Sequence, residues 1–286
     1  MSLTITQQKT YRPPIVLVYG PGGIGKTTFA ASWKGAVILP IEDGCQEIDA
    51  PSFPLQPDWQ TLCESLDSLI EDHQGIKALV VDSLTAAQDK LFADICLEYQ
   101  VKSIEKADGG YGKGYVRACE KWRELLERFT ILRSKGVAVI LIAHSAVTRC
   151  VDPRLPEFDR LTPRLYVNAK GAGIMPMTCE FCDAVFCVAP DIFVADEAKR
   201  RAGGDGGRIL YAQDRPAFLA KNRYGLQAEI PFGPDFKGGD LMDHYRKTTW
   251  ATILGGIKNT YKKPDAVAST PKTVEPTNQN ADIIGQ

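Results

Sequence analysis

Long hydrophobic runs are missing from this chain: no apolar stretch among its 286 residues approaches the ~18 residues that a membrane span requires. The segment from Met1 to Thr10 lacks the basic and apolar parts of a signal peptide. A membrane partner is therefore not expected, and the expected location is cytoplasmic. Net charge is lacking as well. Lys and Arg number 34 against 35 Asp and Glu, a formal charge of −1, which excludes the global basic field that announces a nucleic-acid binder. Any DNA contact has to come from local patches. A complete metal-ligand set is also missing. The 8 cysteines (45, 63, 96, 119, 150, 179, 182 and 187) are scattered through apolar segments, where a reducing compartment would leave them as small buried hydrophobes. Cys179-Glu-Phe-Cys182, with Cys187 nearby, has half of a zinc spacing, but no second C-x-x-C or closely spaced His pair completes four ligands.

What is present centres on Gly20-Pro21-Gly22-Gly23-Ile24-Gly25-Lys26-Thr27, preceded by the apolar run Ile15-Val16-Leu17-Val18-Tyr19 and followed by Thr28-Phe29-Ala30-Ala31. It fits G-x-x-x-x-G-K-[ST] at every fixed position, in the strand–loop–helix context that gives the pattern meaning. Glycines let successive backbone N–H groups approach an anion, and a helix starting near Gly25 turns its unsatisfied N–H groups toward the same place. Residues 20–28 are thus expected to bind ATP, with Lys26 reaching the β- and γ-phosphates and the Thr27 hydroxyl on Mg²⁺. A bare glycine turn would not need the Lys-Thr pair.

The apolar fraction of 44% suffices for a sizeable core, and the chain reads as one domain with tails. A polar arm covers 1–12, the core domain 13–260, and a tail rich in Pro, Thr, Asn and Lys covers 261–286, for which disorder is the expectation. A second strand over 36–41 ends in Glu42-Asp43-Gly44. In a parallel sheet the functional groups sit beyond the carboxyl ends of strands, so Glu42 is placed to face the nucleotide. A helix over 58–73 is followed by Ala78-Leu79-Val80-Val81 closed by Asp82-Ser83. A buried strand delivering one carboxylate at its tip suits a second Mg²⁺-site ligand, although Asp82 capping the next helix is compatible with the same pattern.

Helices are expected at 84–100 and 115–135, and a strand over 137–143 is closed by His144. The connector 101–115 combines glycines with Lys102, Lys106, Lys113, Tyr111 and Tyr115; it is either a solvated loop or a mobile, cationic surface able to stack bases. Residues 145–176 show no strong periodicity and read as a long irregular, Arg-rich segment carrying Arg149, Arg154, Arg160, Arg164 and Lys170. Late strands are expected at 183–189, 208–213 and 217–221, the last feeding Lys221-Asn222-Arg223, with a hairpin turn at 202–207. A short amphipathic helix follows 239, including Trp250, Ile253 and Leu254.

The order of these features resembles the RecA-type ATPase core over about residues 13–235. It is most similar to the short phage-encoded RecA-like proteins of the Sak type, single-strand annealing or recombination ATPases. The resemblance implies an α/β P-loop NTPase fold: a mainly parallel central sheet flanked by helices, with late antiparallel strands. It implies Glu42 as the water-orienting glutamate, Asp82 as the second acidic motif, and His144 where RecA has a glutamine that senses the γ-phosphate. Lys221 and Arg223 resemble the element that reaches into a neighbouring subunit's nucleotide. Single-stranded DNA, further copies of the chain in a ring or filament, and a single-stranded-DNA-binding protein are the partners it implies. A helicase-like or replication-accessory motor, and a nucleotide-dependent switch with slow hydrolysis, are alternatives that the same motifs allow.

Overall fold

A computed structural model describes residues 11–44, 47–152, 154–196, 201–203, 207–233 and 241–261. The strands are β1 (Ile15–Gly20), β2 (Ala36–Pro40), β3 (Ala78–Asp82), β4 (Ala138–Cys150), β5 (Phe158–Pro163), β6 (Ala184–Pro190), β7 (Phe193–Asp196), β8 (Arg201–Gly203), β9 (Arg208–Tyr211), β10 (Lys221–Asn222) and β11 (Glu229–Pro231). The helices are α1 (Lys26–Ala31), α2 (Trp59–Glu71), α3 (Leu84–Glu98), α4 (Lys113–Ser134), α5 (Ile174–Phe181), α6 (Leu241–Tyr245) and α7 (Ala251–Tyr261), the last two joined by a π-helical turn over Arg246–Trp250.

One sheet has the order β11-β9-β6-β1-β4-β3-β2, with β10 added on β6 and β5 on β4. Strands β2, β3, β4, β1 and β6 run parallel, so their carboxyl ends share one edge. On the far side β9 pairs antiparallel with β6, and β11 antiparallel with β9. The mainly parallel sheet with late antiparallel strands is the expected class. Period-two alternation in β1 divides the core between two layers. Ile15, Leu17 and Tyr19 join the residues of α2, α3, α4 and α5, while Val16 and Val18 join those of α1 and the 241–261 helix.

Two segments differ from the sequence expectation. The strand predicted to stop before His144 continues to Cys150, and its distal half pairs antiparallel with β5 from Ser145↔Pro163 to Cys150↔Phe158. Residues 145–176 are therefore largely a two-stranded ribbon followed by the start of α5. Their hydrophobic periodicity is weak because a ribbon extending past the sheet has no second layer to select one face; Val147 and Val151 are exposed. The strand expected at 217–221 shrinks to Lys221–Asn222, and the turn expected at 202–207 includes strand residues of β8, which pairs with β7. Residues 204–206, most of the amino-terminal arm and the 262–286 tail lie outside the described residues.

Candidate nucleotide site

The phosphate loop leaves β1 at Gly20, where a Cβ would run into the Val188 carbonyl of the neighbouring β6, so the close approach of the two strands selects glycine. Gly25 caps α1 at φ 97°, a left-handed conformation that side chains resist, and no side chain among the described residues caps that helix end. Lys26 is buried, and its Nζ donates to the carbonyls of Gly20 (3.0 Å) and Pro21 (2.7 Å). Burial lowers its pKa, an effect opposed by the charges of Asp82 and Glu42. A buried ammonium held by loop carbonyls is suited to an incoming polyphosphate, and Gly22 and Gly23 leave open space beside it.

The loop is one wall of a cavity of about 510 Å³ whose lining includes Lys26, Thr27, Thr28, Glu42, Asp82 and His144. Parallel pairing explains the convergence. The register Gly20↔His144 brings β4 beside β1, and Pro40↔Asp82 brings β3 beside β2, so the polar residues that close these strands meet at one edge. Thr27 Oγ1 donates to Asp82 Oδ2 at 2.6 Å. These two oxygens suit Mg²⁺, which takes one or two protein oxygens and fills its octahedron with water and phosphate oxygens. Ser83 accepts from the Ala86 N–H and caps α3, so capping and the metal-side role fall on adjacent residues.

Glu42 and His144 are in contact, Oε1 to Nε2 at 3.1 Å, with side chains about one-third exposed (37% and 29%). The His144 N–H donates to Thr85 Oγ1 (3.1 Å), which fixes where β4 passes from the sheet into the ribbon. Asp43, the carboxylate next to Glu42 in sequence, lines the same cavity.

Lys221 and Arg223 are not brought to this edge. Lys221 Nζ donates to the carbonyls of Cys179, Glu180 and Cys182 and so caps the carboxyl end of α5. Arg223 pairs with Asp183 at the amino end of β6. Both positions result from the antiparallel register of β10 on β6, Lys221↔Val185 and Asn222↔Ala184, which carries the chain away from the strand tips. Both residues thus have partners within their own chain, while the neighbour-reaching role expected of them concerns a second copy of the chain.

Arg208 escaped the sequence reading. It opens β9, and its Nη1 donates to the Ile24 carbonyl at 2.7 Å, behind the phosphate loop. A Cβ on Gly25 would meet both this nitrogen and the Tyr245 hydroxyl at 3.0 Å. Tyr245 packs with Phe232 and Phe29, and Phe29 stacks on Trp250 at 4.3 Å, with Trp250 Nε1 donating to the Phe29 carbonyl (2.8 Å). The last third of the chain therefore supports the loop from beneath. No local signal marks Arg208, because the contact spans 184 residues of sequence.

A phosphate loop at the tip of a central parallel strand, with a carboxylate from a nearby strand on its threonine, defines a P-loop nucleotide-binding ATPase of α/β architecture. The chain belongs to the AAA domain family, whose model matches residues 12–224. It is also 25% identical over 136 residues to the SPbeta prophage-derived uncharacterized protein YorG of Bacillus subtilis (strain 168), a match covering 46% of this chain and 41% of that protein's length. No helix among the described residues is long and apolar enough to cross a membrane.

Proposed function

We propose that this protein is a phage-encoded ATPase of recombination or single-strand annealing, resembling the Sak-type proteins, that hydrolyses MgATP and couples it to single-stranded DNA. The observation that carries the reading is the convergence of Lys26, Thr27, Asp82, Glu42 and His144 on one cavity. When bound, Mg²⁺ would offset charge on the transferring phosphoryl group. Lys26 would hold the β- and γ-phosphates, Thr27 and Asp82 would hold the metal, and Glu42 would orient the attacking water and take its proton. His144 sits against Glu42 at the root of the β4–β5 ribbon and limits the orientations open to that carboxylate.

The DNA reading is supported by a stack of Tyr115 on Tyr166 (4.2 Å, 3° between rings). It joins the glycine-rich connector to the loop after β5, so exposed Tyr111 and Lys113 and exposed Arg164 and Lys170 belong to segments that meet. Stacking residues among dispersed cations suit a single strand. Arg160, from the same Arg-rich segment, is not part of this surface: its guanidinium is committed to Asp214 and to the carbonyls of Arg215 and Phe218. Arg149 and Arg154 are paired within the ribbon with Glu157, Asp159 and Asp152, which reduces their attraction for phosphates. Assembly into a homo-oligomer, ring or filament, and cooperation with a single-stranded-DNA-binding protein belong to the same proposal.

A second reading, a nucleotide-dependent switch with slow turnover, draws on the Glu42–His144 contact, which engages the carboxylate that would orient water. One assay separates them. Steady-state ATP hydrolysis with and without single-stranded DNA should rise with DNA if the recombination reading holds; turnover that ignores DNA at saturating concentrations rejects it and leaves the switch.

A further inference from the structure

A second polar cavity, of about 310 Å³, lies at the opposite edge of the sheet from the nucleotide site. It forms where β1 and β6 begin: Ile15 N–H donates to Asp183 Oδ2 (3.0 Å) and Asp183 N–H donates back to the Ile15 carbonyl (2.8 Å). Five strand steps of about 3.3 Å separate this edge from the phosphate loop, about 17 Å in all. Its lining includes Arg12, Arg133, Asp183, Arg223, Tyr224 and Tyr261. Three guanidinium groups thus surround one carboxylate. Asp183 is itself buried and pairs with Arg133 Nη2 at 2.7 Å and more loosely with Arg223 Nη1 at 3.4 Å. Positive charge is in excess even with Asp183 ionised.

Two polar atoms here are buried and have no hydrogen-bond partner among the described residues: Arg133 Nε and the Tyr224 hydroxyl. Tyr224 is only 4% exposed, so its oxygen is withheld from bulk water as well. Asp183 raises the phenol's pKa, after burial itself, through its charge and a side-chain contact with the hydroxyl, but that contact is too poorly placed to count as a formed hydrogen bond. A donor left unmatched in a site with surplus cationic charge is the complement of an anion bearing several acceptor oxygens. Arg12 and Arg223 are exposed at the mouth, which leaves entry open, and the rings of Tyr224 and Tyr261 add apolar walls beside the charges.

We propose that this cavity is a second anion site, distinct from the nucleotide pocket, that binds a phosphate group through Arg12, Arg133, Arg223 and the Tyr224 hydroxyl. Two sources present that chemistry, a free phosphorylated small molecule and the backbone of a nucleic-acid strand. The test uses the full chain carrying Lys26→Ala, which disables the phosphate loop, titrated calorimetrically with pyrophosphate at fixed ionic strength and, separately, with a short oligothymidylate across a salt series. Adding Arg12→Ala and Arg223→Ala together should weaken pyrophosphate binding by about tenfold or more, and Arg12→Lys with Arg223→Lys should recover part of it. Tyr224→Phe removes a single oxygen and should cost several-fold, so it reads the same site if the double variant folds poorly. If a strand backbone is the natural source, the double variant should also flatten the dependence of oligonucleotide affinity on salt, by about 0.7 in log–log slope for each strand phosphate that is no longer neutralised. An unchanged salt slope with weakened pyrophosphate binding assigns the site to a small molecule. Absence of saturable pyrophosphate binding that these substitutions reduce, together with an unchanged salt slope, overturns the proposal and leaves the cluster as a brace between β1, α4 and β6.

Discussion

Arg208→Ala isolates what the carboxyl-terminal third of the chain does for the phosphate loop. The guanidinium donates to the Ile24 carbonyl at 2.7 Å and lies against Gly25, but it does not line the nucleotide cavity. Truncation removes a hydrogen bond from a charged donor, worth about 1.5–3 kcal/mol, and opens a void beneath a glycine held at positive φ. If that energy holds the loop in its binding conformation, nucleotide affinity should fall by roughly ten- to a hundredfold, since about 1.4 kcal/mol is tenfold. Arg208→Lys keeps the charge without the planar fork and should fall between. The assay is a fluorescent-nucleotide titration, with thermal unfolding of the unliganded chain recorded in parallel. Affinity within twofold of the unsubstituted chain would refute the reasoning, and a loss of unliganded stability with affinity so unchanged would show that Arg208 braces the fold rather than the loop.

Lys26→Ala should abolish tight nucleotide binding while Glu42→Gln retains binding and loses turnover; persistent turnover in Glu42→Gln would move the base to Asp43. His144→Ala should lower the rate with nucleotide affinity changed only a few-fold, because His144 touches Glu42 rather than the phosphate-holding Lys26; a large affinity loss with an unchanged rate would contradict this. Burial lowers the Lys26 pKa and a bound polyphosphate would raise it, so binding takes up a proton as pH approaches the lowered value. Affinity should therefore fall on the alkaline side earlier than for an ordinary lysine, and calorimetry in buffers of different ionisation enthalpy should detect the proton. Trp250→Ala removes a 2%-exposed ring stacked on Phe29 and should cost about 3–5 kcal/mol, a fall in Tm of roughly 6–20 °C by calorimetry. Replacing Tyr111, Lys113, Arg164 and Lys170 with Ala should weaken single-strand binding and flatten its salt dependence, whereas Arg149→Ala and Arg154→Ala should change it little; the reverse ranking would move the DNA face onto the ribbon.

The sequence alone determined the phosphate loop, the parallel core strands and the polar residues that close them. Each of these is a local property: a fixed spacing of Gly, Lys and Thr, or an apolar run ended by one acid. Because parallel strands end on a common edge, local reading was also enough to expect Gly20, Glu42, Asp82 and His144 on one side of the sheet. Tertiary structure decided which of these atoms touch, such as Thr27 with Asp82 and Glu42 with His144, since pairing depends on register between strands far apart in sequence. It also decided what no periodicity carries: the continuation of β4 into a ribbon, the diversion of Lys221 to the end of α5, and the guanidinium of Arg208 behind the loop. In these cases the determining partner is a backbone carbonyl, or a strand pairing with no second layer to select a face. A carbonyl is carried by every residue type, so its position leaves no mark in the sequence until the chain has folded around it.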